Sequence, residues 1–476
     1  MSTPPALGRP TRVRFGVLAF ACSLAAITYL DRLCIGSAAS DLVAALGLRH
    51  ESELRWAFTA FSLAYAIFEV PTGWLGDVFG PRATLIRIVI WWSLFTSLTG
   101  LTGWTVGGVM LIGFPMLVVI RFLFGMGEAG AFPNITRALH NWFPLTERGM
   151  TQGYVWMSSR VMGGLTPLVW VLLVHTLGLS WRAAFGLFGA IGLIWCIAFA
   201  TWFRNRPEER SDVNEAERAL IRAGTAGATE PAHARVPWGR LLRSGNLWAL
   251  CIMYAFMVYP WYFYVNYLPS YLQEMHGVEK ASTLGSLYKG GPLIFGAAGC
   301  LIGGWLSDRY IRRTGDRKWG RRIYGMIGHG ACVPLWLVCV IAPNAWSFAL
   351  AAALTGFFND LSMGSAWASC QDIGRRHAAI VAGCMNTIGN LGGAVSSYVI
   401  GWLVARSIDV YLHTHGLVGS EFASLPLSDR QAALAPGYTW NFVIFAGMYA
   451  VAVVLWLLID ASKPVLAEDA DPVVSK

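Results

Sequence analysis

The apolar residues of this chain fall into long runs separated by shorter polar intervals. Runs of about 20 apolar residues recur from one end to the other, and each is long enough to cross roughly 30 Å of hydrocarbon as a helix. We therefore predict twelve membrane-spanning helices, six on each side of one longer polar interval. Their predicted bounds are 13–38, 54–76, 83–103, 108–134, 150–176, 182–203, 245–273, 284–306, 322–342, 345–369, 378–404 and 438–460.

The longer polar interval divides the chain into three parts. We predict an amino-terminal six-helix bundle over residues 1–204, a cytoplasmic linker over 205–243 and a carboxyl-terminal six-helix bundle over 244–476. The linker mixes arginine and acidic residues with Gly, Ala and Pro, which is typical of a solvated segment, and one surface helix is predicted near Val213 to Ala223. The predicted fold class is an all-α polytopic membrane protein.

An internal repeat relates the two predicted bundles. The second span ends in Gly73-Trp74-Leu75-Gly76-Asp77, and the eighth ends in Gly304-Trp305-Leu306-Ser307-Asp308. Basic residues follow both segments. Two such pentapeptides at equivalent places indicate an internal duplication. Parallel six-helix repeats around a central site are the architecture of one large class of transporters.

The composition fits an integral membrane protein and excludes a soluble one. Hydrophobic residues make up 55% of the chain and charged residues only 13%, with 22 Trp and 52 Gly. The nine Cys lie scattered in apolar segments without metal or redox spacing, so we interpret them as reduced core residues. The first apolar run is long and contains charged residues, which argues against a cleaved signal peptide.

The net charge of +9 would suit a nucleic-acid-binding protein, but the distribution of basic residues argues against one. Lys and Arg concentrate in alternate loops, which is the positive-inside asymmetry of membrane proteins. This asymmetry predicts a protein of the plasma membrane, in bacteria the inner membrane, with both termini in the cytoplasm. The partner it implies is the lipid bilayer and not nucleic acid. The opposite loops hold only Arg49, Arg55, Arg182, Lys280, Arg406 and Arg430.

Two adjacent opposite charges, Asp31 and Arg32, lie within the first apolar run. A charge at the middle of a bilayer costs at least about 2.5 to 3.5 kcal/mol, so such residues usually face a bundle interior or a water-filled cavity. The pair could line a path through the protein, or the two charges could neutralise each other as a structural pair. Further ionisable residues in apolar segments favour the path: Glu69, Arg121, Glu128, Arg160, Lys289 and Asp360.

Several of these residues match motifs of a known family. Gly73 through Asp77, with Gly80 and Arg82, match the loop motif of the major facilitator superfamily, and the run Arg121–Gly127 resembles its fourth-helix motif. The resemblance implies a fold of two six-helix bundles. It also implies that Arg121 has a structural or a proton-relay role.

Within that superfamily the chain resembles the anion:cation symporter family. The resemblance rests on Tyr29–Arg32 and on the run Arg121–Pro133, which continues through Trp142–Pro144 to Glu147–Arg148. It covers nearly the whole chain, densely in the first half. Bacterial members of the family include proton-coupled carriers of sugar acids, such as hexuronate, galactonate and glucarate carriers.

The resemblance implies roles for three charged residues. By similarity to the sugar-acid symporters, Arg32 binds the substrate, and Asp31 and Glu128 take up and release protons during the cycle. Glu128 could instead be a neutral, hydrogen-bonded core acid. The chain departs from the family at Asn266, where such carriers often have an aromatic residue, and at Arg160, where a small residue is expected.

The chemistry of an anionic substrate also favours Arg32. A carboxylate needs a cation that stays charged at every working pH, and the bidentate fork of arginine meets that need better than lysine. Side chains that could orient substrate hydroxyls, or could instead join helices, are Tyr29, Tyr65, Asn386 and Asn390. Charged residues at cytoplasmic helix ends are predicted to gate rather than bind: Asp77, Arg82, Arg148, Asp308 and Arg375.

Arg160 shares one face of the fifth span with Gln152 and Trp156, each four residues from the next. A bare guanidinium in that span is costly unless it meets an anion. The candidate partners are Glu128 on the preceding helix and a second acidic group on the substrate. The second would favour dianions such as aldarates over monoanions.

We therefore predict a secondary active transporter that moves an organic anion together with protons by alternating access, and a sugar acid, such as a hexuronate, aldonate or aldarate, is the substrate class that we favour. No Walker-type phosphate loop is present to power a primary pump, and the dispersed histidines give no metal or catalytic spacing, so neither an enzyme nor a cofactor is predicted. A monomer is expected. The alternatives are a proton-coupled exporter of amphipathic compounds, which the cationic Arg32 and Arg160 disfavour for cationic drugs, and a sensor that binds without translocating.

Overall fold

The computed structural model describes residues 9–48, 54–107, 109–110, 112–222, 236–278, 283–417, 422 and 424–466. Arg49, Lys280 and residues 223–235 of the linker lie outside these ranges. One short antiparallel hairpin consists of β1 (Thr105–Val106) and β2 (Val109–Met110). The helices are α1 (Val13–Ser37), α2 (Ala39–Leu46), α3 (Arg55–Phe79), α4 (Pro81–Thr99), α5 (Phe114–Glu128), α6 (Ala131–Trp142), α7 (Arg148–Trp170), α8 (Trp181–Trp202), α9 (Glu215–Arg222), α10 (Trp238–Leu241), α11 (Gly245–Asn266), α12 (Leu268–His276), α13 (Thr283–Thr314), α14 (Arg317–Ile341), α15 (Ala345–Leu361), α16 (Met363–Gly374), α17 (Ala378–Thr414) and α18 (Leu427–Leu458).

These helices form the predicted twelve spans. Over the described residues, nine helical stretches are long and apolar enough to cross a membrane; the stretch 345–414 contains two spans, and α3 and α4 supply the remaining two. Three spans consist of two helices each, namely α5–α6, α11–α12 and α15–α16. The predicted all-α membrane fold is confirmed, with a first half (α1–α8) and a second half (α11–α18).

The span predicted over 108–134 begins later than predicted and contains one break, so its predicted bounds were wrong. It begins late, because residues near its predicted start form the β-hairpin and α5 begins at Phe114 with Pro115 in its first turn, where the missing N–H costs nothing. It then breaks at Gly130, whose φ of 86° is a left-handed conformation that suits glycine. Hydropathy counts apolar residues and does not register such backbone breaks.

Other helices extend past their predicted bounds at polar ends. α13 continues to Thr314 and α17 to Thr414, while α18 begins at Leu427, eleven residues or so before its predicted start. Helical hydrogen bonds do not require apolar side chains, so a helix can continue beyond the part that a bilayer covers. The predicted surface helix of the linker is present as α9.

The amino-terminal segment and the linker meet at one end of the bundle, which we call the linker end. Glu217 of α9 is fully buried there and accepts hydrogen bonds from the hydroxyl of Thr11 (2.6 Å) and from the guanidinium of Arg14 (2.9 Å). Arg14 also pairs with Glu147, which precedes α7 (3.0 Å). The linker helix is therefore fastened to the first span.

Buried aromatic rings join the two halves between the bundle centre and the linker end. Phe132 of α6 stacks on Trp156 of α7, with ring centroids 4.5 Å apart and planes at 11°. Trp367 of α16 packs against Trp156 from the second half at 5.0 Å. Each of these rings is at most 5% exposed, so the halves share one continuous apolar core at this level.

Candidate functional site

Arg32 lies in α1 at the centre of the first half and pairs with Glu128 at the end of α5. Its Nη2 and Nε atoms both donate to Oε1 of Glu128, at 2.7 and 3.0 Å. The guanidinium also lies over the ring of Tyr65, 4.7 Å from the centroid. The Arg32 side chain remains 23% exposed, whereas Glu128 is buried. A guanidinium that a small anion can reach is therefore held by a buried carboxylate.

One interpretation of the sequence is that Asp31 and Arg32 neutralise each other. The structure contradicts it, because successive residues of a helix point about 100° apart and the two side chains do not pair. The Asp31 carboxylate is buried, and neither oxygen accepts a hydrogen bond of ordinary geometry from the described residues, although the indole of Trp92 is near enough to interact. Its electrostatic neighbours are Glu128 and Arg121. Asp31 thus belongs to the same charged cluster as Arg32 without pairing with it.

Arg121 of α5 completes this cluster. Its guanidinium is buried and lies over the rings of Phe124 (4.3 Å) and Phe61 (5.1 Å). Arg32 lies 5.4 Å from the same Phe61 ring. One aromatic ring therefore contacts both arginines, which brings the predicted substrate-binding and fourth-helix motifs together.

Arg160 of α7 pairs with Asp360 of α15, a partner that the sequence did not suggest. Nε and Nη2 of Arg160 donate to the two carboxylate oxygens, at 2.7 and 3.2 Å. Nη1 donates to the hydroxyl of Tyr29 in α1 (3.1 Å), and the guanidinium lies 3.9 Å from the ring centroid of Trp261 in α11. Glu128, one of the two predicted partners, pairs with Arg32 instead. The Arg160–Asp360 ion pair joins the two halves at the bundle centre.

Tyr29 connects the two arginines. Its ring lies 5.5 Å from the guanidinium of Arg32, and its hydroxyl accepts the hydrogen bond from Arg160. The ring edge also packs against Phe132 at 6.2 Å. The predicted site residues Tyr29, Arg32 and Arg160 are therefore neighbours, separated by about the length of one tyrosine side chain.

A second polar contact between the halves involves Glu69 of α3, which is fully buried. It accepts a short hydrogen bond from Asn386 of α17 and a longer one from Thr387 (3.5 Å). Asn390, one turn further along α17, accepts from the hydroxyl of Tyr262 (3.4 Å). The amides predicted to orient substrate hydroxyls are thus placed at the bundle centre, with protein partners in this structure.

The two copies of the repeated pentapeptide make equivalent contacts at the linker end. Asp77 accepts hydrogen bonds from the backbone N–H groups at the start of α17, the shorter from Ile380 (2.8 Å). Asp308 accepts from those at the start of α7, the shorter from Met150 (2.6 Å). Each carboxylate therefore caps a helix of the opposite half, where the helix dipole favours a negative charge.

The glycines that open these pentapeptides allow the halves to approach. A Cβ atom on Gly73 would collide with the backbone oxygen of Ala379, and one on Gly304 with that of Gly149. Backbone therefore meets backbone at both contacts. The sequence repeat corresponds to a repeated contact, which closes the linker end in this structure.

The remaining predicted gating residues do not all join the halves. Arg148 pairs with Asp372 of α16 (2.9 Å), and Arg321 of α14 bridges Asp372 (3.0 Å) and Asp308. Arg82 instead donates to the backbone oxygen of Ala200 (2.5 Å), within its own half.

Arg375 contributes a contact between the halves through its backbone. It has φ of 49°, and its backbone oxygen accepts from Arg137 of α6 (2.8 Å). Arg137 also lies 3.6 Å from Asp77. Arg137 therefore links the first pentapeptide contact to the turn between α16 and α17, a role that the sequence does not predict.

Several partners escaped sequence reasoning. The sequence shows Glu69 and Asp360 as charges in apolar runs, but nothing in it indicates their partners in the other half. Trp261 of α11 and Asp372 of α16 are not among the residues that the sequence predicts for the site. The signal available was the cost of a buried charge, which predicts that a partner exists without naming it.

Comparisons with known proteins bear on the whole chain. A family model described as Major Facilitator Superfamily matches residues 21–397. The probable sulfoacetate transporter SauU of Cupriavidus necator is 33% identical over 398 residues, covering 83% of this chain and 88% of that protein. The probable galactarate/D-glucarate transporter GudP of Bacillus subtilis is 27% identical over 424 residues, covering 85% and 88%, and the hexuronate transporter of the same organism is 28% identical over 400 residues, covering 82% and 88%.

Solved structures with the same fold are more distant in sequence. The proton:xylose symporter XylE superposes with a TM-score of 0.69 at 16% identity, covering 96% of this chain and 98% of that chain. A bacterial homolog of the human lysosomal transporter Spinster, in an inward-facing and unoccupied conformation, gives a TM-score of 0.60 at 18% identity, covering 95% and 99%. At these identities the likeness concerns the fold alone.

Proposed function

This chain belongs to the Major Facilitator Superfamily, and from that premise we propose that it is a proton-coupled symporter of a small organic anion. As a member of this family it is a membrane transporter and not an enzyme. The relatives support an anionic substrate, because their names describe a probable sulfoacetate transporter, a probable galactarate/D-glucarate transporter and a hexuronate transporter. A sugar acid, such as a hexuronate, aldonate or aldarate, is the substrate class we propose, carried across the bacterial inner membrane by alternating access.

The Arg32–Glu128 pair is the observation that carries this proposal. Nε and Nη2 of Arg32 both donate to one oxygen of Glu128, so a substrate carboxylate that binds these two donors competes with Glu128. A proton on Glu128 removes its negative charge and weakens its hold on Arg32. Protonation of Glu128 and binding of the anion are therefore favourable to each other, which is the requirement for symport.

The charge inventory of the bundle centre also favours protons as the coupling ion. Among the described residues whose contacts are given above, Arg32, Arg121 and Arg160 lie with four acids, Asp31, Glu69, Glu128 and Asp360, so these seven side chains carry one net negative charge when fully ionised. An entering anion adds to that charge in a poorly solvated place, where unbalanced charge is costly. Neutrality of these seven side chains together with a monoanion requires about two bound protons, at least one of which enters with the anion.

The first prediction concerns coupling. Purified protein in liposomes should accumulate the anion when the outside is acidified, because protons drive the acids of the site into their neutral form. A protonophore should abolish the accumulation, and replacing K+ by Na+ at constant pH should change nothing. The measurement is uptake of a radiolabelled sugar acid under each gradient. Uptake that depends on Na+ and not on the pH gradient would show that Na+, and not H+, is the coupling ion.

We also propose that the linker end faces the cytoplasm, in keeping with its concentration of basic residues, and that the contacts of Asp77 and Asp308 hold it closed. Each carboxylate contributes hydrogen bonds to a helix terminus and a favourable interaction with the helix dipole, roughly 1 kcal/mol or more together. Opening toward the cytoplasm then requires both contacts to break. The two carboxylates should therefore make similar contributions to the free energy of closing the linker end.

The second prediction tests this gate by hydrogen exchange. Asp77→Asn should speed exchange of the amides at Ala379 and Ile380 about fivefold or more, since roughly 1 kcal/mol of closure is lost. Asp308→Asn should do the same at Gly149 and Met150. The readout is mass spectrometry of the peptides that start α17 and α7.

Asp409→Asn is the matched control for both gate variants, because Asp409 is exposed near the other end of α17. It should leave exchange at the starts of α7 and α17 unchanged. Exchange rates at these amides that match the parent in both gate variants would remove the two carboxylates from the closing contact.

A further inference from the structure

The Arg160–Asp360 pair has no binding or coupling role of its own in the proposed mechanism. Both side chains are at most 3% exposed, and they belong to opposite halves. A buried ion pair of this kind seldom adds much stability, because desolvation of the two charges offsets their attraction. Its position beside Tyr29, which also contacts the substrate-binding candidate Arg32, gives it access to the site.

We propose that Arg160 is a second anion-binding point, which Asp360 occupies in the empty carrier and which the second anionic group of a dianionic substrate occupies in its place. The inference rests on the proposed function, because it needs the first anionic group on Arg32. The substrate class it names is a short acid with an anionic group at each end, either two carboxylates or a carboxylate and a sulfonate. The transporter would prefer such a dianion to the matching monoanion.

The geometry of the two cations sets the size of the ligand. The Tyr29 ring centroid lies 5.5 Å from the Arg32 guanidinium, and the hydroxyl of the same ring lies 3.1 Å from Nη1 of Arg160. The gap between the two guanidinium groups is therefore about the length of one tyrosine side chain. A chain of about two to six carbons can bridge a gap of this length, at roughly 1.3 Å or less per bond along an extended chain.

The contacts that orient Arg160 would let it bind an anionic group other than the Asp360 carboxylate. Its guanidinium carbon lies over the indole of Trp261, 3.9 Å from the ring centroid, and Nη1 donates to Tyr29, so its direction does not depend on Asp360 alone. A fork fixed in this way loses little entropy when it exchanges one carboxylate for another. The arriving group must supply two oxygens to Nε and Nη2, which a carboxylate or a sulfonate does.

Asp360 has other partners to hold it after the exchange. Its Oδ1 accepts from the side-chain amide of Asn359 (2.9 Å), and the thiol of Cys300 interacts with the same carboxylate. Gly296 leaves room for it, because a Cβ there would come within 2.5 Å of Oδ2. Asp360 therefore keeps polar partners on its own side when the substrate replaces it at Nε and Nη2 of Arg160.

The displaced carboxylate still needs its charge balanced. Among the described residues the titratable or charged groups that interact with Asp360 are Arg160 of α7, Cys300 of α13, Cys332 of α14, Tyr264 of α11 and Tyr449 of α18. Arg160 is the cation in this set. When Arg160 binds substrate, one proton from the side of entry must therefore bind Asp360, so a dianion should enter with one proton more than a monoanion.

The experiment uses two matched pairs of acids that differ in a single terminal group, CH2OH against carboxylate. The pairs are gluconate with glucarate and isethionate with sulfoacetate. Affinity is measured by calorimetry on purified full-length protein. We expect the parent to bind at least one dianion about tenfold or more tightly than its monoanionic match. A preference for the monoanion in both pairs would overturn the proposal, and binding of none of the four acids would overturn the proposed function with it.

The decisive variant is the double substitution Arg160→Gln with Asp360→Asn, which removes both charges and leaves no buried ion without a partner. It should lose about tenfold or more in affinity for the dianion and keep the monoanion within threefold. Retained monoanion binding shows that the variant is folded and that the proposed function stands. An unchanged dianion preference, or an equal loss for both acids, would assign the pair to helix packing and overturn the inference.

The single substitution Asp360→Asn gives an independent check. It removes the competitor and leaves Arg160 in place, so dianion affinity should rise or stay equal, and the extra proton taken up with the dianion should disappear. Proton uptake per substrate is read from calorimetry in buffers of different ionisation enthalpy. A persistent extra proton in Asp360→Asn would overturn the role given to Asp360.

Discussion

Glu128→Gln is expected to reduce gradient-driven accumulation of the anion to the level of protonophore-treated parent while counterflow exchange continues. Glutamine keeps the size of the side chain, and its amide oxygen can still accept from Arg32, so the site retains its shape. It cannot bind and release a proton, so substrate binding no longer depends on the pH gradient. Counterflow needs no net proton movement and separates the two properties.

The control for this experiment is Glu274→Gln. Glu274 lies in α12 outside the site and makes a partly exposed pair with Arg430 (3.6 Å), so its loss should leave both assays unchanged. Concentrative uptake in Glu128→Gln equal to that of the parent would exclude Glu128 from coupling. Loss of counterflow together with accumulation would show that Glu128 serves binding or folding instead.

Arg32→Lys is expected to raise KM for the anion roughly tenfold to a hundredfold. Charge-assisted hydrogen bonds contribute about 1.5 to 3 kcal/mol, and about 1.4 kcal/mol corresponds to a factor of ten. Lysine keeps the charge but cannot direct two parallel donors at one carboxylate, and it loses the flat contact with Tyr65. Uptake kinetics over a range of substrate concentrations measure the change.

Arg182→Lys serves as the matched control for this substitution. Arg182 donates to the backbone oxygen of Thr102 (3.1 Å) and stacks on Trp181, so it loses a comparable set of contacts away from the site. KM should stay within about twofold of the parent. Near-normal KM in both Arg32→Lys and Arg32→Ala would return Arg32 to a structural role in the first helix.

The spans were predictable because the bilayer imposes a length on every apolar helix, and that length is visible in a one-dimensional pattern. The breaks within spans were not. Gly130 takes a left-handed conformation that interrupts the fourth span, yet Gly residues also occur inside uninterrupted helices such as α17. A single glycine therefore does not say whether the backbone turns there.

The charged residues of the site were predictable as a set, since each is costly in a membrane unless it has a function or a partner. Their pairing was not predictable, because partners lie far apart along the chain. Arg32 and Glu128 are 96 positions apart, and Arg160 and Asp360 are 200. Proximity in sequence suggested Asp31 for the first and Glu128 for the second. The direction of each side chain on its helix and the packing of the helices determine the observed pairs instead.

The burial of Glu217 against the first span bears on how the chain is assembled during synthesis. Arg14 is synthesised 203 residues before Glu217, so their contact can form only after all six spans of the first half have been made. The nascent half is then sealed by α9 at the point where the amino-terminal segment and Glu147 converge. The contact that fastens the amino-terminal segment is therefore completed by a helix of the linker, which is made after the six spans of the first half.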